Sequence, residues 1–573
     1  MNPSKWDEEV DVVVVGSGAA GMAAAITAAD AGLKVLLVEK TDRIGGSTAI
    51  SGGAIWAPMN PHTEAVGHPD SSEKVWTYMR NTVGDAAPAH MQKAFLDAAP
   101  GMVAWFEKNT AVKLAGRAYS PDYYPDREGA AMGGRSLDPV MFDGRQLGEH
   151  FPRLRDPLPE FMVLGRMMIT MTDAKHLLAA FKSFKSWRES MKLVLRYFAD
   201  RARGYHRGTR LVLGNALAAS LFKTMIDRAV PYWLNASLRQ LHLTGGAVSG
   251  VTVLRDARPV AVRVRRGVVL ATGGFPWSDH LRRAYYPQPT GAWSISPQGN
   301  AGEGISLAQK VGATLGTGYS SPAFWAPVSI LQRPDGSELR YPHLVWDRAK
   351  PGLMAVNSAA ERFVNESTSY HEFVKGMYHS HKTVPTLPAY LVCDSAFMER
   401  WGLGLALPGG RPRKHLVRAG YLYKADTLSS LASALGLDAE RLQRSVGRFN
   451  QWADKGVDED FGKGSTSYNQ YLGDPDHLPN PCLGPLRSGP FYAVKVYAGD
   501  IGTAVGLRCN PHAQALDANN EPISGLYVAG NDMHSVMGGE YPAPGITLGP
   551  ALTFGWLAGR HLADQPPLHT NTL

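Results

Sequence analysis

Residues 16 to 21 combine three glycines with small residues in the order Gly16-Ser17-Gly18-Ala19-Ala20-Gly21. Gly16 permits a tight turn, Gly18 lets the backbone approach a pyrophosphate, and Gly21 allows a helix to lie close to a strand. The N-terminus of the following helix would offer free N–H groups and a partial positive charge. Glu39 can accept hydrogen bonds from ribose hydroxyls, which argues against a 2′-phosphate. The pattern predicts a dinucleotide site.

The elements around this loop are those that such a site needs. Residues 11–15 read DVVVV, a run typical of a strand buried on both faces of a parallel sheet. Residues 22–32 are rich in alanine and end in glycine, which predicts a helix, and residues 34–38 predict a second strand. The glycines therefore lie in the strand-loop-helix context that the motif requires, and a ligand-free glycine turn is the weaker interpretation.

Four later segments repeat the theme of small residues next to strands: 44–49 (IGGSTA), 51–56 (SGGAIW), 267–274 (GVVLATGG) and 525–531 (GLYVAGN). Together with the first loop they resemble the flavoprotein superfamily of fumarate reductases, succinate dehydrogenases and steroid dehydrogenases. The resemblance implies FAD as the cofactor. The residues expected to bind it are Gly16, Ser17, Gly18, Ala19, Ala20, Gly21, Glu39, Lys40, Gly45, Gly46, Ser47, Thr48, Ser51, Gly52, Gly53, Ala271, Thr272, Gly273, Gly530, Asn531, Gly545, Thr547 and Leu548.

No second G-x-G-x-x-G motif follows a predicted strand. A separate NAD(P)H site is therefore not expected. We expect the electrons to leave the flavin for a quinone, a protein or another small acceptor.

The length of 573 residues favours two domains or three. The expected fold class is α/β with an α+β cap: a Rossmann-like FAD-binding domain, split in sequence, with an inserted substrate and catalytic domain. We assign residues 1–330 and 489–573 to the first domain and residues 331–488 to the second. The second part of the FAD domain is placed where PFYAVKVYAG begins a new run of strands.

The composition limits the kinds of partner and ligand that are expected for this protein. The net charge is +8, but no basic run alternates with aromatic residues as in a nucleic-acid groove, so nucleic acid is not an expected partner. Cys393, Cys482 and Cys509 lie far apart, so neither a disulfide framework nor a metal site is expected. The first residues lack the features of a signal peptide, and no window is long and apolar enough for a membrane span. We expect a cytoplasmic protein.

Residues 178–222 read as an amphipathic insertion. Aromatic and aliphatic residues recur at helical spacing from Phe181 to Phe198, and Lys and Arg fill the positions between them. Such a helix suits the inner surface of a membrane, which would make the protein peripheral there. A helix packed on the protein or on another subunit is the equal alternative.

Three segments that contain tyrosine restrict the resemblance to one family of this superfamily. Residues 538–551 read GGEYPAPGITLGPA, residues 362–370 read RFVNESTSY, and residues 120–126 read SPDYYPD, followed by GRSL at 134–137. In this order they resemble motifs of the 3-ketosteroid Δ1-dehydrogenases. The turn at 46–49 reads GSTA, without the histidine that tethers the flavin in several succinate and fumarate enzymes.

The resemblance implies that a ketone loses its C2 proton to a base and its C1 hydrogen as hydride to flavin N5. The Tyr541 hydroxyl and the Gly545 N–H would hold the carbonyl oxygen, as an oxyanion hole does. Tyr370 would be the base, as a phenolate, with Tyr123 hydrogen-bonded to it; the adjacent Tyr124 is the alternative helper. A free tyrosine has a pKa near 10, so activity is expected to rise into alkaline pH.

Other functions fit parts of this pattern. A dehydrogenase of smaller, cyclohexanone-type ketones would use the same tyrosines, and the pocket volume would separate the two. A Δ4-(5α) 3-ketosteroid dehydrogenase shares the fold, but the Y-P-x-P-G segment argues against it. A flavin-binding protein without turnover is disfavoured by the three tyrosines. The preferred ketone, the natural acceptor and the oligomeric state are left open by the sequence.

Overall fold

The computed structural model describes residues 5–568. Most of the strands form two large sheets. The strands of the described residues are β1 (Glu8–Val15), β2 (Val35–Val38), β3 (Ile55–Trp56), β4 (Leu114–Gly116), β5 (Ser136–Pro139), β6 (Phe142–Asp143), β7 (Met162–Val163), β8 (Met167–Met168), β9 (Arg210–Leu211), β10 (Tyr232–Trp233), β11 (Ala236–Thr244), β12 (Ala247–Arg255), β13 (Arg258–Leu270), β14 (Ala323–Gln332), β15 (Glu338–Pro342), β16 (Leu353–Val356), β17 (Ala389–Cys393), β18 (Leu422–Ala425), β19 (Phe491–Thr503), β20 (Gln514–Leu516) and β21 (Pro522–Val528).

Helices cover both sheets and the connections between them. They are α1 (Ala19–Asp30), α2 (Ser72–Thr82), α3 (Ala89–Asn109), α4 (Met171–Leu178), α5 (Phe184–Ala202), α6 (Leu213–Asp227), α7 (Asp279–Tyr285), α8 (Glu303–Lys310), α9 (Tyr370–His381), α10 (Ser395–Arg400), α11 (Lys414–Arg418), α12 (Leu428–Leu435), α13 (Ala439–Lys455), α14 (Ser467–Leu472) and α15 (Leu548–Asp564). Short 3₁₀ segments cover Thr48–Ile50, Gly84–Ala86, Gly144–Arg153, Pro159–Phe161 and Gly530–Asp532.

The first sheet has a parallel centre in the order β10, β2, β1, β13 and β21. Its central strands are buried on both faces, which is why they read as continuous apolar runs. Strands β12 and β11 extend the sheet antiparallel beyond the first half of β13. The carboxyl ends of β1, β2, β13 and β21 therefore meet at one edge, where ligands bind in open α/β sheets. The predicted α/β class is confirmed.

Helix α15, near the end of the chain, packs on a helix near its start. It lies on α1, and the contact depends on glycine: a Cβ at Gly555 would stand 2.3 Å from the Ala20 carbonyl oxygen, and one at Gly559 would stand 2.7 Å from the Thr27 Cβ. Small residues let the two helix backbones approach, so the segment before α15 is brought to the same sheet edge as the first glycine loop.

The second sheet has the order β15, β14, β19, β17 and β16, with β18 also paired to β19. Strand β19 is its centre and pairs antiparallel with β14, β17 and β18. The predicted boundaries need correction here, because residue 330 falls inside β14 and the strand expected to resume the FAD domain at 489 belongs to the second sheet. The local sequence pattern predicts the strand β19. It does not predict the strands with which β19 pairs, because these lie more than 65 residues away along the chain.

The predicted insertion at 178–222 also ends too late. Helix α6 is buried against α1 and the Thr48–Ile50 turn, so residues from Leu213 onward belong to the FAD-binding unit. Helices α4 and α5 pack on each other and form the excursion itself. None of the helices within residues 5–568 is long and apolar enough to cross a membrane.

Helix α5 packs on the protein through a largely polar face. It buries Ser186, Ser190, Tyr197 and Asp200 against the protein. Several of its large apolar side chains face outward instead, with Phe184 at 76 % and Leu195 at 61 % exposure. A helix that serves only a globular core shows the opposite pattern.

Candidate active site and dinucleotide cleft

The loop after β1 has the geometry that its glycines predicted. Gly16 has φ +105°, and a Cβ there would stand 2.2 Å from the Ala271 carbonyl oxygen. A Cβ at Gly21 would stand 2.0 Å from the Gly16 carbonyl oxygen, so this residue serves the packing of α1 on β1. Beside Gly18 the nearest atom to a Cβ is Thr48 Oγ1 at 3.9 Å, which leaves the loop open on the side that phosphates would approach.

Glu39 follows β2 and is buried. Its carboxylate accepts hydrogen bonds from the Ser17 N–H (3.1 Å) and hydroxyl (2.6 Å), and from the Thr41 N–H and hydroxyl (both 2.9 Å). These contacts hold the carboxylate at the sheet edge, where it lines the cavity. Lys40 instead reaches the cleft rim, where it pairs with Glu303 at 2.5 Å.

One continuous cavity of about 2050 Å³ begins at this edge. It is lined by every predicted cofactor residue except two, Gly21 and Gly45. Gly45 lies behind the wall, and its N–H donates to the Ser17 hydroxyl at 3.0 Å. The predicted residues that line the cavity are Gly16, Ser17, Gly18, Ala19, Ala20, Glu39, Lys40, Gly46, Ser47, Thr48, Ser51, Gly52, Gly53, Ala271, Thr272, Gly273, Gly530, Asn531, Gly545, Thr547 and Leu548.

Two residues that connect the turns around this cleft belong to no sequence motif that could have predicted them. The fully buried Asp532 accepts hydrogen bonds from Thr272 and from the Gly274 N–H, and so ties the turn after β13 to the turn after β21. Asn300 donates to the Ser47 hydroxyl (3.0 Å) and the Gly273 carbonyl (3.2 Å). The hydrogen-bond donors, the open glycine faces and the cavity volume fit FAD.

Three tyrosines from separate elements meet beside this cleft. Tyr370 begins α9, Tyr123 lies in the loop before β5, and Tyr541 lies in the loop before α15. The Tyr123 hydroxyl donates to the Tyr370 hydroxyl at 3.1 Å. The Tyr541 ring centroid is 5.1 Å from that of Tyr370 and 5.4 Å from that of Tyr123. All three are buried and line the cavity.

Hydrogen bonds to the backbone fix the elements that carry the three tyrosines. The Pro542 carbonyl accepts hydrogen bonds from the Tyr123 N–H (2.8 Å) and from the Tyr78 hydroxyl (2.7 Å). The Ser369 side chain caps α9 by accepting from the Glu372 N–H at 3.2 Å. The loop that carries Tyr541 is thus tied directly to the loop that carries Tyr123.

Tyr123 and Tyr124 point to different partners. Only Tyr123 contacts Tyr370, whereas the Tyr124 hydroxyl donates to Glu372 at 2.8 Å and lies 3.5 Å from Glu540. The geometry therefore favours Tyr123 as the helper, and its role stays a prediction.

Gly545 lies at the turn into α15 with φ +99°. A Cβ there would stand 2.5 Å from the Trp56 N atom, so only glycine fits. Its carbonyl accepts from the Trp56 N–H at 3.0 Å, while its own N–H donates to no residue in the range 5–568. That donor is available at the cavity wall, on the same loop as Tyr541.

The electrostatics of the tyrosine group oppose ionisation. Burial raises the pKa of Tyr370 well above its usual value, and Tyr123 and Tyr541 add to the rise. Burial also raises the pKa of Tyr123 and of Tyr541. The hydrogen bond to Tyr370 and the charge of Arg117 lower the pKa of Tyr123 in part, but burial outweighs both because a phenolate loses its hydration there.

Sequence reasoning missed two members of this group. The Tyr468 ring centroid lies 4.5 Å from that of Tyr123, and its hydroxyl is buried. Arg348 is also buried and donates to four backbone carbonyls, of His343, Leu344, Glu366 and Thr368. Burial raises the pKa of Tyr468, and Arg348 opposes that rise. Nothing in the local sequence distinguishes these residues from ordinary core residues.

His371, Glu372 and Glu540 form a cluster whose donor atoms lie within 4.8 Å of one another, a spacing that could hold a metal ion. The Lys375 ammonium already pairs with Glu372 (2.9 Å) and Glu540 (3.3 Å). Burial lowers the pKa of His371 to about 3, so the ring is neutral, and its Nδ1 accepts from the Trp325 N–H at 3.2 Å. Lys375 supplies the charge that a cation would otherwise supply.

Comparison with known proteins gives the class of the protein. The family model described as FAD binding domain matches residues 11–548. A crystal structure of 3-ketosteroid Δ1-dehydrogenase from Sterolibacterium denitrificans, in complex with 1,4-androstadiene-3,17-dione, matches with a TM-score of 0.91 and 37 % identity, and covers 97 % of this chain and 99 % of that chain. This chain is therefore an FAD-dependent oxidoreductase.

Curated relatives define the family more closely. The 3-oxosteroid 1-dehydrogenase of Mycobacterium tuberculosis is 37 % identical over 575 residues, which is 97 % of this chain and 99 % of that protein. The 4-oxocyclohex-2-ene-1-carboxylate 5-dehydrogenase of Sinomonas cyclohexanicum is 38 % identical over 558 residues, which is 96 % of this chain and 93 % of that protein. The chain belongs to the 3-oxosteroid 1-dehydrogenase family, and the predicted family and cofactor are confirmed.

Proposed function

We propose that the protein removes the C1 and C2 hydrogens of a 3-ketosteroid and forms the 1,2-unsaturated ketone. The observation that carries the proposal is the meeting of Tyr370, Tyr123, Tyr541 and the free Gly545 N–H at the wall of the FAD cleft. This group offers a base and two donors for one carbonyl oxygen, which is what proton abstraction beside a ketone requires.

The geometry supports the roles that the family resemblance implies for these residues. The Tyr541 hydroxyl and the Gly545 N–H hold the ketone oxygen and stabilise the negative charge that develops on it. The Tyr370 oxygen takes the C2 proton, and the Tyr123 hydroxyl, 3.1 Å away, is the next group that can pass a proton toward the outer cavity. FAD, when bound, supplies the two-electron acceptor that takes the C1 hydrogen as hydride.

Sequence identity does not choose between a steroid and a smaller ring, because the relative that acts on a cyclohexene carboxylate is as similar as the steroid enzymes. The cavity favours the steroid. Besides the tyrosines it is lined by many apolar side chains, more than a single six-membered ring could cover, whereas a four-ring substrate would cover more of them. These side chains are Leu158, Phe161, Met162, Met167, Ile169, Leu344, Val345, Trp346, Leu405 and Leu472.

The test is anaerobic mixing of the FAD-loaded protein with androst-4-ene-3,17-dione or with 4-oxocyclohexanecarboxylate. We expect the steroid to bleach the flavin absorbance and to yield the 1,4-diene-3-ketone, with kcat/KM at least about a hundredfold above that of the small ketone. Bleaching by the small ketone alone would establish the alternative function. A 4-ene product from a 5α-reduced steroid, without 1,2-dehydrogenation, would point to the Δ4-(5α) reaction.

We also propose a quinone as the electron acceptor, since no second dinucleotide motif is present in the sequence. Steroid-reduced protein should be reoxidised by a soluble menaquinone analogue and not by NAD⁺ or NADP⁺. Reoxidation by a nicotinamide cofactor would overturn this part of the proposal.

The outward-facing side of α5 supports a further proposal: this surface rests on an anionic membrane. Phe181 is fully exposed, Phe184 and Trp187 are exposed on the helix, and Lys182 and Lys185 stand between them. Apolar side chains beside free cations suit a lipid headgroup layer, and a membrane would also supply both steroid and quinone. Met171 and Leu178 on the same excursion, and Leu164 shortly before it, are exposed and line the cavity.

Vesicle flotation tests this surface. The protein should float with vesicles of phosphatidylglycerol and phosphatidylcholine, and a variant with Phe181→Ser, Phe184→Ser and Trp187→Ser should not. Leu478→Ser, at an exposed leucine outside the excursion, is the matched control. If the triple variant instead dissociates a dimer while vesicle binding is absent in the parent, a second copy of the chain covers this face and the membrane proposal is wrong.

A further inference from the structure

The wall of the cavity carries a lysine that has no counter-ion among the described residues. Lys350 lines the cavity, and its ammonium donates to the Gly473 carbonyl at 2.7 Å. It lies 4.8 Å from the centre of the Trp401 ring. No carboxylate of residues 5–568 is within ion-pair distance of it.

Helix α14 connects this lysine with the reaction centre. Tyr468 near its start contacts Tyr123, and Gly473, just after its end, holds the Lys350 ammonium. Five residues of helix advance by about 8 Å, so the two contacts lie at opposite ends of α14.

The charges around Lys350 do not neutralise it. The buried Asp474 pairs with Arg400 at 2.5 Å, so its charge is already shared. Lys175 and Arg411 also line the cavity and have no carboxylate partner in the part of the chain that the structure describes. Burial lowers the pKa of Lys350 to about 8, with Asp474 opposing the change, so the ammonium remains charged at neutral pH.

We infer that this part of the cavity is a carboxylate subsite, with Lys350 as its principal cation, and that the preferred substrate is a 3-ketosteroid whose C17 side chain ends in a carboxylate. The inference rests on the proposed function, because it places the ketone at Tyr541 and the side chain at Lys350. A half-buried ammonium without a partner gains most from a ligand that brings the opposite charge.

Apolar side chains accompany this cation in the cavity wall. Trp401, Leu472 and Leu407 line the cavity as Lys350 does, and they suit the apolar part of a substrate that ends in an acid group.

The experiment compares kcat/KM for 3-oxopregn-4-ene-20-carboxylate and for its methyl ester, which has the same skeleton without the charge. The FAD-loaded protein should prefer the acid by about tenfold, mainly through KM. Lys350→Met should reduce the acid-to-ester ratio to about one, Lys350→Arg should retain most of it, and Lys310→Met, at an exposed lysine outside the cavity, should leave it unchanged.

Equal kcat/KM for the acid and the ester in the parent protein would overturn the subsite, as would an unchanged ratio in Lys350→Met. Should the Met variant fail to retain FAD, the parent ratio and the Arg variant decide. Androst-4-ene-3,17-dione separates the two proposals: if it is turned over while the acid and ester are equal, only the subsite is wrong, and if it is not turned over, the proposed function is wrong.

Discussion

The hydroxyl oxygens of Tyr123 and Tyr370 lie 3.1 Å apart although 247 positions separate the two residues in the chain. Each hydroxyl is buried, and the bond runs beside Tyr541 at the cavity wall. A base that receives a proton at this depth has to release it again before the next turnover. The pair therefore links the reacting carbon to a second group that can carry the proton outward.

Replacing Tyr370 by Phe removes the oxygen that takes the C2 proton and leaves the ring in place. We expect kcat to fall by roughly a thousandfold or more, with steroid affinity changed by less than about threefold. Steady-state turnover and titration of the flavin spectrum with the steroid product measure the two effects. Turnover within tenfold of the parent would show that another group is the base.

Tyr123→Phe and Tyr124→Phe form a matched pair at adjacent positions. The first removes the hydroxyl bonded to Tyr370, and we expect kcat to fall roughly ten- to a hundredfold. The second removes a bond to Glu372, and we expect a change below about threefold. Parallel measurements of kcat on the FAD-loaded variants distinguish them, and a larger loss in the Tyr124 variant would reverse the assignment.

The pH dependence follows from the direction of the Tyr370 shift. Burial raises the pKa of this phenol, and only the phenolate can accept the C2 proton. The active fraction therefore grows as pH rises toward the raised pKa, and log kcat/KM should climb by about one for each pH unit from neutral pH upward. A profile that is flat or that falls between pH 7 and pH 10 would contradict a tyrosine base.

Gly16→Ala tests the close approach at the dinucleotide loop. The new Cβ would stand 2.2 Å from the Ala271 carbonyl oxygen, and the backbone has φ +105°. We expect loss of bound FAD and about 2 kcal/mol or more of destabilisation. The ratio of flavin to protein absorbance and the thermal midpoint report the two losses.

Gly32→Ala is the control for that variant. Gly32 also has a positive φ of +84°, but a Cβ there would meet no atom within 4 Å. It should keep its FAD and lose only about 1 kcal/mol, the cost of the left-handed backbone alone. Equal FAD loss in both variants would mean that backbone strain, and not the contact with Ala271, decides cofactor retention.

The dinucleotide loop could be predicted because its requirements are local. A turn with positive φ at Gly16, the direct continuation of β1 into α1 and an acid at the end of β2 all lie within one segment of the chain. The tyrosine segments were found by resemblance, and their chemistry could be stated before their positions were known.

The sequence by itself determined the alternation of strands and helices, the glycine positions and the family. Tertiary structure decided that Tyr123 and not its neighbour Tyr124 bonds to Tyr370, that β19 centres the second sheet, and that Lys350 lines the cavity. The reason is physical: which side of a loop faces the core, which strands pair and which charges share a wall depend on contacts between distant segments, and these contacts exist only once the chain has folded.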